Sequence, residues 1–523
     1  MEDPPQLLIF PTYATKENNG WRIQTRGWTY TINSGSRKLR LALALARKVS
    51  GAAQAEEAQS IFTDRFSMLM ANTARFTTVH LQVSGLTLPT HMELQSDPTR
   101  SPGFISSEAS MENMQYRQTS PFGNETRSVR VHAESGYFSS LLSVSEEAVQ
   151  TWLKQAPTEL NNASRHGHTL VQLEGSLEHA LPVAPAYGIV DLVGPRGISV
   201  ISDIDDTIKI SDVVQGTLAL MEKALFRHSQ PVPGMAQVYQ KWWEQGAHFH
   251  YVSNTPWQLF PTLQKFFAEH QFPPGSAHLK MWDHGDRSRM SFLHDPADSK
   301  REATRRIIRD FPQRKFILVG DSGQRDMELY ADMAKEFPDQ VLKVFIRDIT
   351  TPPLLAICTP PALPRRTPVE PNLMEDYTSH NGKINSYDSR TSSSRQSSSI
   401  RSYRNSPPPP PSSIHSSASP PSSVGRRSTA LASSSVMSLA RMATRLGLVT
   451  PTPSTSIEAT GTSQAMGQPE NDKLTRNESL LVQFFERVNQ VFGELHSHQW
   501  ELFEDASRLS QCPRVKKAFS ECG

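Results

Sequence analysis

The sequence is poor in cysteine and has no long apolar run. Only 3 cysteines occur among 523 residues, which excludes a disulfide-stapled secreted fold. No stretch approaches the roughly 18 consecutive apolar residues of a membrane-spanning helix. The chain opens with acids and prolines instead of a basic start and an apolar run, so no secretory signal is predicted. Together these features predict a cytoplasmic protein without a transmembrane helix.

An excess of charge of one sign is also missing. The 54 basic and 52 acidic side chains give a net charge of +2, which excludes a globally basic nucleic-acid-binding protein. The balance is a cancellation, because residues 365–450 carry 11 basic against 4 acidic side chains and residues 451–512 carry 4 against 9. The overall charge therefore says little about partners, and no nucleic acid is expected among them.

Composition divides the chain into five segments. Residues 351–470 are rich in Ser, Pro and Arg and poor in large apolar residues, which predicts a disordered linker. The apolar face of the last segment needs a partner, either its own globular domain or another chain. The other predicted segments are an N-terminal helical and aromatic segment (1–75), a β-sandwich domain (76–195), an α/β domain (196–350) and a C-terminal amphipathic helix (471–523).

Residue patterns within the two central segments predict their folds. Apolar and polar residues alternate over Thr77–Val83 and Ser128–His132, which indicates an antiparallel sandwich. After residue 196, short apolar runs such as Phe249–Val252 alternate with helical patterns, which predicts a parallel sheet with helices on both faces. Reactive groups of such sheets gather beyond the carboxyl ends of the strands. The residues that follow each apolar run are therefore the candidate site.

The strongest motif is D-x-D-x-T at residues 203–207, directly after an apolar run. Asp203 is expected to project into the crevice where its strand ends. A carboxylate can attack phosphorus to form an aspartyl-phosphate. A second carboxyl, here Asp205, can protonate the leaving oxygen and later activate water. Acidic pairs also cap helices, so the motif alone leaves that alternative open.

Two further residues suit a phosphate group. Ser253 directly follows the run Phe249–Val252, and its hydroxyl can donate to a phosphoryl oxygen. Lys300 opens a helical stretch, and its ammonium can neutralise charge on the nucleophile and the phosphoryl group. Lys280 and Arg301 remain alternatives to Lys300.

Two acids after another apolar run predict a Mg²⁺ site. Asp321 stands two residues after the run Phe316–Val319 and would join Asp203 in holding the ion. Mg²⁺ prefers a shell of carboxylates, phosphate oxygens and waters. Asp326 could orient those ligands or join them. Candidate residues at several predicted strand ends, in the order in which a phosphatase site needs them, favour such a site over helix-capping residues.

Together these residues resemble the haloacid dehalogenase-like phosphatases over residues 198–348. The resemblance implies a Rossmann-like α/β fold and a further Mg²⁺ contact from the main-chain carbonyl of Asp205. The roles it implies are nucleophile for Asp203, acid/base for Asp205, phosphate clamps for Ser253 and Lys300, and metal ligand for Asp321.

Three longer segments look like the fungal actin-patch phosphatidate phosphatases, whose chemistry is similar to that of the lipins. They are residues 202–209 (SDIDDTIK), 249–259 (FHYVSNTPWQL) and 320–328 (GDSGQRDME). The resemblance implies Mg²⁺-dependent removal of phosphate from phosphatidate, giving diacylglycerol, at cortical actin patches linked to endocytosis. Gln324 departs from that family's pattern, in which an acidic residue is expected.

The residues after Ser253 and the tail suggest partners. Trp257 and Phe260 belong to an apolar patch where an acyl chain could lie. Trp257 is expected at the mouth of the site, whereas core packing is the favoured alternative for Phe260. In the tail, a P-x-x-P-x-R motif fits the groove of an SH3 domain, with a plain extended linker as the alternative. A basic cluster near the N-terminus could meet an anionic membrane or be an ordinary solvated helix face. The motif is Pro361, Pro364 and Arg366, and the cluster is Arg37, Lys38, Arg40, Arg47 and Lys48.

Three functional hypotheses follow. The preferred one is a cytoplasmic phosphatidate phosphatase that acts peripherally on membranes at cortical actin patches and binds SH3-domain proteins there. The second keeps the chemistry and changes the substrate to a soluble or protein phosphomonoester. The third is an SH3-binding scaffold whose catalysis is incidental.

Overall fold

The computed structural model describes residues 4–32, 40–41, 43–44, 56–74, 78–87, 127–131, 135–156, 167–178, 185–212, 217–280, 296–358 and 470–522. The SH3-type motif of Pro361, Pro364 and Arg366 lies outside these ranges. So does the basic cluster apart from Arg40, and nearly all of the predicted linker.

Seventeen strands occur in the described ranges. They are β1 (Gln6–Ile9), β2 (Thr12–Glu17), β3 (Gly20–Thr31), β4 (Asn72–Thr73), β5 (Thr78–Leu86), β6 (Arg127–Arg130), β7 (Tyr137–Ser145), β8 (Leu170–Leu177), β9 (Ala186–Val193), β10 (Ile198–Ser202), β11 (Lys209–Ile210), β12 (Gln230–Pro231), β13 (His248–Pro256), β14 (Gly275–Lys280), β15 (Lys315–Asp321), β16 (Val341–Arg347) and β17 (Trp500–Phe503).

Helices flank these strands, and none of those described is long and apolar enough to cross a membrane. They are α1 (Glu56–Leu69), α2 (Glu146–Gln155), α3 (Thr217–Phe226), α4 (Met235–Glu244), α5 (Phe260–Glu269), α6 (Pro296–Asp310), α7 (Asp326–Glu336), α8 (Thr351–Cys358), α9 (Glu470–Phe492), α10 (Ser507–Gln511) and α11 (Pro513–Cys522).

The first nine strands form one sheet in the order β1-β3-β2-β9-β8-β5-β6, with β4 and β7 also paired to β3. All pairs are antiparallel except β2 with β9. Apolar side chains such as Ile23, Leu81 and Val171 form one core, which α2 covers through Val149 and Trp152. Because polar residues alternate with these apolar ones, the opposite face can meet solvent.

The predicted boundary at residue 75 and the two-sheet sandwich are wrong. Strands β1 to β3 lie within the segment predicted as helical and aromatic, and β3 pairs with β7 from Gly20 opposite Ser145 to Trp28 opposite Tyr137. The nine strands form one hydrogen-bonded sheet. The alternation in β3 is hard to recognise because one of its buried positions is Thr25. Helix α1 lies within the segment 1–75, where helical structure was predicted.

The second sheet has six parallel strands in the order β14-β13-β10-β15-β16-β17. Alternate residues of each strand face opposite sides: Val200 packs against α4, whereas Ile201 packs with the side of α6 and α7. Burial on both faces explains the nearly continuous apolar runs. The predicted parallel sheet with helices on both sides is confirmed, and all its strands end at one edge.

The C-terminal segment is part of this second sheet rather than a lone helix. Strand β17 adds beside β16, pairing Val344 with Trp500 and Arg347 with Phe503. The apolar face of α9 packs on the same sheet through Phe484 and other side chains, so its partner is its own chain. Helices α10 and α11 cover the opposite face. The predicted linker also begins later than residue 351, because α8 occupies the first positions.

Candidate active site

The loop after β10 is shaped by Asp206. The main chain of Asp206 adopts a left-handed conformation, with φ of 56°, which Asp tolerates better than most residues. Its Oδ1 atom accepts hydrogen bonds from the amides of Ser211 (2.7 Å) and Asp212 (2.8 Å). Asp206 therefore fixes the turn, and its two neighbours Asp203 and Asp205 are placed at the end of the strand.

Three carboxylates meet at this edge of the sheet. Asp203 follows β10, Asp321 ends β15 and Asp326 begins α7, and one oxygen from each lies within 4.8 Å of the others. All three residues are buried. Gly320 permits this approach, because a Cβ atom there would lie 2.5 Å from Oδ2 of Asp326. The cluster thus depends on a position without a side chain.

Lys300 neutralises part of this charge from α6. Its ammonium lies 2.7 Å from Oδ1 of Asp203 and also contacts Asp326. Burial alone would lower the pKa of Lys300, but the two carboxylates raise it, so the side chain is charged. The alternative Arg301 pairs with Asp332 at 2.5 Å instead. Lys300 is therefore the basic residue that contacts Asp203.

The remaining charge in the cluster is negative. Burial, followed by the Asp326 and Asp205 carboxylates, raises the pKa of Asp203 to about 7 despite Lys300. Burial and the carboxylates of Asp326 and Asp203 also raise the pKa of Asp321 well above its usual range. These shifts are what buried like charges produce when one cation is too few to balance them.

Asp321 offers an oxygen that suits a cation. Its Oδ1 atom accepts hydrogen bonds from the amides of Gly323 (2.7 Å) and Gln324 (3.1 Å). Its Oδ2 atom is buried and has no hydrogen-bond partner among the described residues. Buried polar atoms rarely remain unpaired, and an all-oxygen set of carboxylates is what hard divalent cations prefer. The residues therefore fit a bound divalent cation.

Asp205 lies in a different environment on the other side of Asp203. Its Oδ1 atom accepts a hydrogen bond from Ser211 (2.6 Å) and lies 2.5 Å from the Lys209 ammonium. Its Oδ2 atom accepts from the hydroxyls of Thr255 (2.7 Å) and Ser253 (3.3 Å). Burial alone would raise the pKa of Asp205, but Lys209 and these hydroxyls lower it to about 2.

The structure brings all the predicted site residues to one edge of the sheet. Asp203, Lys300, Asp321 and Asp326 share direct contacts or the same carboxylate cluster, and Ser253 joins them through Asp205. The predictions of their chemical roles remain predictions.

Three neighbouring residues were given no role from the sequence: Lys209, Thr255 and the last residue of the D-x-D-x-T motif, Thr207, whose hydroxyl donates to Oδ2 of Asp203 at 3.1 Å. Lys209 stands four residues after Asp205 and could have been found from that spacing.

The prediction for Trp257 is wrong. Its side chain is 2% exposed and stacks on Tyr137 of β7, with ring centroids 5.4 Å apart. Phe260 is also buried, with its ring edge-on to Phe10. Both aromatic rings join the first sheet to the second. The prediction for Trp257 failed because its partner Tyr137 comes from the first sheet, and no sequence pattern near residue 257 reveals that contact.

Comparison with known proteins finds similarity over the part of the chain that contains this edge of the sheet. Residues 198–348 match the family model described as "Phosphatidate phosphatase APP1, catalytic domain". A 173-residue segment is 38% identical to phosphatidate phosphatase APP1 of Saccharomyces cerevisiae, covering 32% of this chain and 29% of that protein. A 163-residue segment is 37% identical to an uncharacterized protein of Schizosaccharomyces pombe, covering 31% of this chain and 26% of that protein.

These similarities span less than a third of either curated relative. They do coincide with the second sheet and its carboxylate edge, because β10, β13, β15 and β16 all lie within the matched residues. Residues 198–348 of this chain are therefore similar to the catalytic domain of the phosphatidate phosphatase APP1 family.

Proposed function

We propose that this chain is a Mg²⁺-dependent phosphatidate phosphatase that hydrolyses phosphatidate to diacylglycerol and phosphate. The observation that carries the proposal is the Asp203 carboxylate, held at 2.7 Å by Lys300 beside Asp321 and Asp326. The family match adds the substrate, since phosphatidate is the one named for the relative of known activity. The parallel strand order with Asp203 on a central strand supports a haloacid dehalogenase-like, Rossmann-like fold.

In the first step, a carboxylate oxygen of Asp203 attacks the phosphorus atom. The bond between phosphorus and the glycerol oxygen breaks, and that oxygen takes a proton from Asp205 as diacylglycerol leaves. In the second step, Asp205 takes a proton from water, the water oxygen attacks the aspartyl-phosphate, and phosphate leaves Asp203. One carboxylate thus forms the covalent bond and the other moves the proton.

Asp205 must change partners between these roles. With a pKa lowered to about 2, it is a carboxylate in the free protein, which suits the base of the second step. A bound phosphate would draw the hydroxyls of Ser253 and Thr255 away from Asp205. Loss of those hydrogen bonds favours the protonated acid that the first step requires.

Mg²⁺ would be held by Asp203, Asp321 and the main-chain carbonyl of Asp205, with Asp326 beside them. When bound, the ion supplies positive charge that offsets charge on the phosphoryl oxygens. Lys300 would hold Asp203 ionised and clamp the phosphate together with Ser253. The unpaired Oδ2 atom of Asp321 supports the assignment of this residue as a ligand.

Replacing the nucleophile tests the mechanism. We expect Asp203→Asn to lower phosphate release from phosphatidate micelles with Mg²⁺ by at least about 10⁴-fold. Asp206→Asn is a matched control in the same loop, because asparagine keeps the left-handed backbone and the Oδ1 acceptor. Near-normal turnover by Asp203→Asn, or equal losses in both variants, would contradict the assignment of Asp203.

A soluble or protein phosphomonoester is the second candidate substrate. The burial of Trp257 favours keeping this alternative, because its ring is unavailable to an acyl chain at the mouth of the site. Phosphate release should be compared between phosphatidate micelles and small phosphate esters. Faster turnover of the soluble esters, abolished by Asp203→Asn, would keep the chemistry and refute the lipid substrate.

We also propose that the tail binds SH3-domain proteins and places the enzyme at cortical actin patches, peripheral to the membrane and linked to endocytosis. The proposal rests on the motif of Pro361, Pro364 and Arg366. Changing both prolines to alanine should abolish pull-down of SH3 domains and leave phosphate release intact. An SH3 scaffold with incidental catalysis predicts instead that Asp203→Asn leaves the cellular phenotype unchanged.

A further inference from the structure

Helix α9 lies beside the carboxylate cluster although a long stretch of chain separates them. Asp321 is the last residue of β15, and α9 begins at Glu470. Phe484, Val488 and Phe492 of α9 are buried in the core that α7 and β16 also line. Because this face of α9 points into the core, Arg487, which precedes Val488, points to the loop after β15.

Arg487 binds both the loop and the start of α7. Its guanidinium donates to the main-chain carbonyls of Ser322 (3.2 Å) and Gln324 (2.7 Å). It also forms a two-pronged ion pair with the carboxylate of Glu328, at 2.7 and 2.8 Å. A guanidinium can satisfy these acceptors together because its donors are fixed in one plane.

The two sides of this loop have opposite partners. Its amides, from Gly323 and Gln324, point to Oδ1 of Asp321. Its carbonyls, from Ser322 and Gln324, point to Arg487. The Ser322–Gly323 peptide links the two, because its carbonyl accepts from Arg487 and its amide donates to Asp321. The guanidinium therefore helps to orient the Asp321 carboxylate, whose Oδ2 atom has no hydrogen-bond partner among the described residues. Contacts that orient a ligand in this way commonly set metal affinity.

We propose that Arg487 is a positioning residue for the divalent cation, so that the segment after the linker tunes cation affinity in the catalytic region. The inference rests on the proposed function, because it assigns Asp321 as a cation ligand. It extends the functional unit beyond residues 198–348, since the matched family region does not contain Arg487. The Arg487 guanidinium would act on the Asp321 carboxylate through the main-chain carbonyls of the loop after β15.

The test measures binding of Mn²⁺ alone to the full chain by electron paramagnetic resonance, with Mg²⁺-dependent phosphate release measured beside it. We expect Arg487→Ala to weaken Mn²⁺ binding about tenfold and to shift the Mg²⁺ concentration needed for half-maximal rate by a similar factor. Arg487→Lys should fall between wild type and alanine, because lysine keeps the charge and loses the fork. Arg508→Ala is the matched control, since Arg508 pairs with Glu501 in the same segment.

A Mn²⁺ affinity within twofold of wild type in folded Arg487→Ala would overturn the proposal. A purely structural role predicts lower thermal stability with unchanged Mn²⁺ affinity, and that result also overturns it. If the alanine variant does not fold, Arg487→Lys is judged by the same criterion. Wild-type Mn²⁺ binding with no phosphatidate turnover would refute the substrate and leave the positioning role intact, whereas no Mn²⁺ binding by wild type would refute the positioning role.

Discussion

Two buried clusters of similar size have opposite electrostatics. One is Asp203, Asp321 and Asp326 at the carboxyl edge of the second sheet; the other is His168, Asp191 and His248, where the two sheets meet. In each, one possible ligand atom per residue lies within 4.8 Å of the others. All six residues are buried. The two clusters differ in the side chains that surround each carboxylate: other carboxylates in the first, imidazoles in the second.

Those neighbours decide the direction of the pKa shift. Asp191 lies 2.7 Å from Nδ1 of His248, and although burial alone would raise its pKa, His248 and then His168 lower it. Asp321 experiences the same burial, but the carboxylates around it raise its pKa further. Burial alone therefore says nothing about role. A cluster of carboxylates is suited to bind a cation, whereas a carboxylate that is hydrogen-bonded to an imidazole is suited to join two parts of a fold.

The largest effect that separates the clusters is expected for Asp321→Asn. Phosphate release should fall by about 10²–10³-fold, because a ligand and its charge are lost. Thermal stability without a cation should not fall, because repulsion in the cluster is relieved. The measurement is phosphate release beside thermal unfolding, with Asp332→Asn on the exposed side of α7 as the control. A large fall in stability would show that Asp321 is held by attraction instead.

Asp191→Asn should behave in the opposite way. Removing one partner of a buried pair costs about 3–5 kcal/mol of the free energy of unfolding, while the rate per folded molecule should stay near wild type. Urea unfolding and phosphate release measure the two quantities. Glu17→Gln, which breaks an exposed pair with Arg22, should change stability by less than about 1 kcal/mol. A loss of turnover without a loss of stability would contradict the structural role.

Chelation should separate the clusters without a substitution. EDTA should abolish phosphate release, and added Mg²⁺ should restore it, because the proposed function requires a hard cation at the carboxylate edge. The melting temperature should change little, because the Asp191–His248 pair needs no ion to balance its charge. A large fall in melting temperature that zinc reverses would mean that His168, Asp191 and His248 bind a metal, and the comparison would fail.

The smallest effect is expected in the pH dependence of stability. The pKa of Asp191 is lower in the folded than in the unfolded chain, so its contribution is complete above the unfolded value of about 3.9. It is lost as the pH falls through the lower folded value. The difference in unfolding free energy between wild type and Asp191→Asn should therefore shrink below about pH 4. A difference that grows on acidification would reverse the sign of the argument.

Most residues of the candidate site could be located from local sequence patterns. Asp203 and Asp321 could be placed because each follows an apolar run whose strands are buried on both faces. The left-handed turn at Asp206 and the contact of Thr255 with Asp205 could not, because both depend on how neighbouring strand ends meet in space. Spacing along one element is visible in a sequence, whereas approach between elements is not.

The sequence predicted the second sheet better than the first sheet and the C-terminal segment. The parallel sheet was recognised because strand and helix patterns alternate over residues 196–350. Strand β17 was missed because four residues beyond a long linker carry too little periodicity to indicate an added strand. The first sheet was placed too late, since β3 uses Thr25 at a buried position and mixes basic residues among its apolar ones.

Strand β17 also has a consequence for how this protein is made. Strand β16 must wait for residues 500–503 before its outer edge is paired, so a ribosome that has just finished residue 348 has delivered an incomplete sheet. An unpaired strand edge is a template for association with other chains, and nascent chains with such edges aggregate readily. A fragment that ends where the family similarity ends should therefore be poorly soluble, and adding residues 470–523 as a second polypeptide should rescue it.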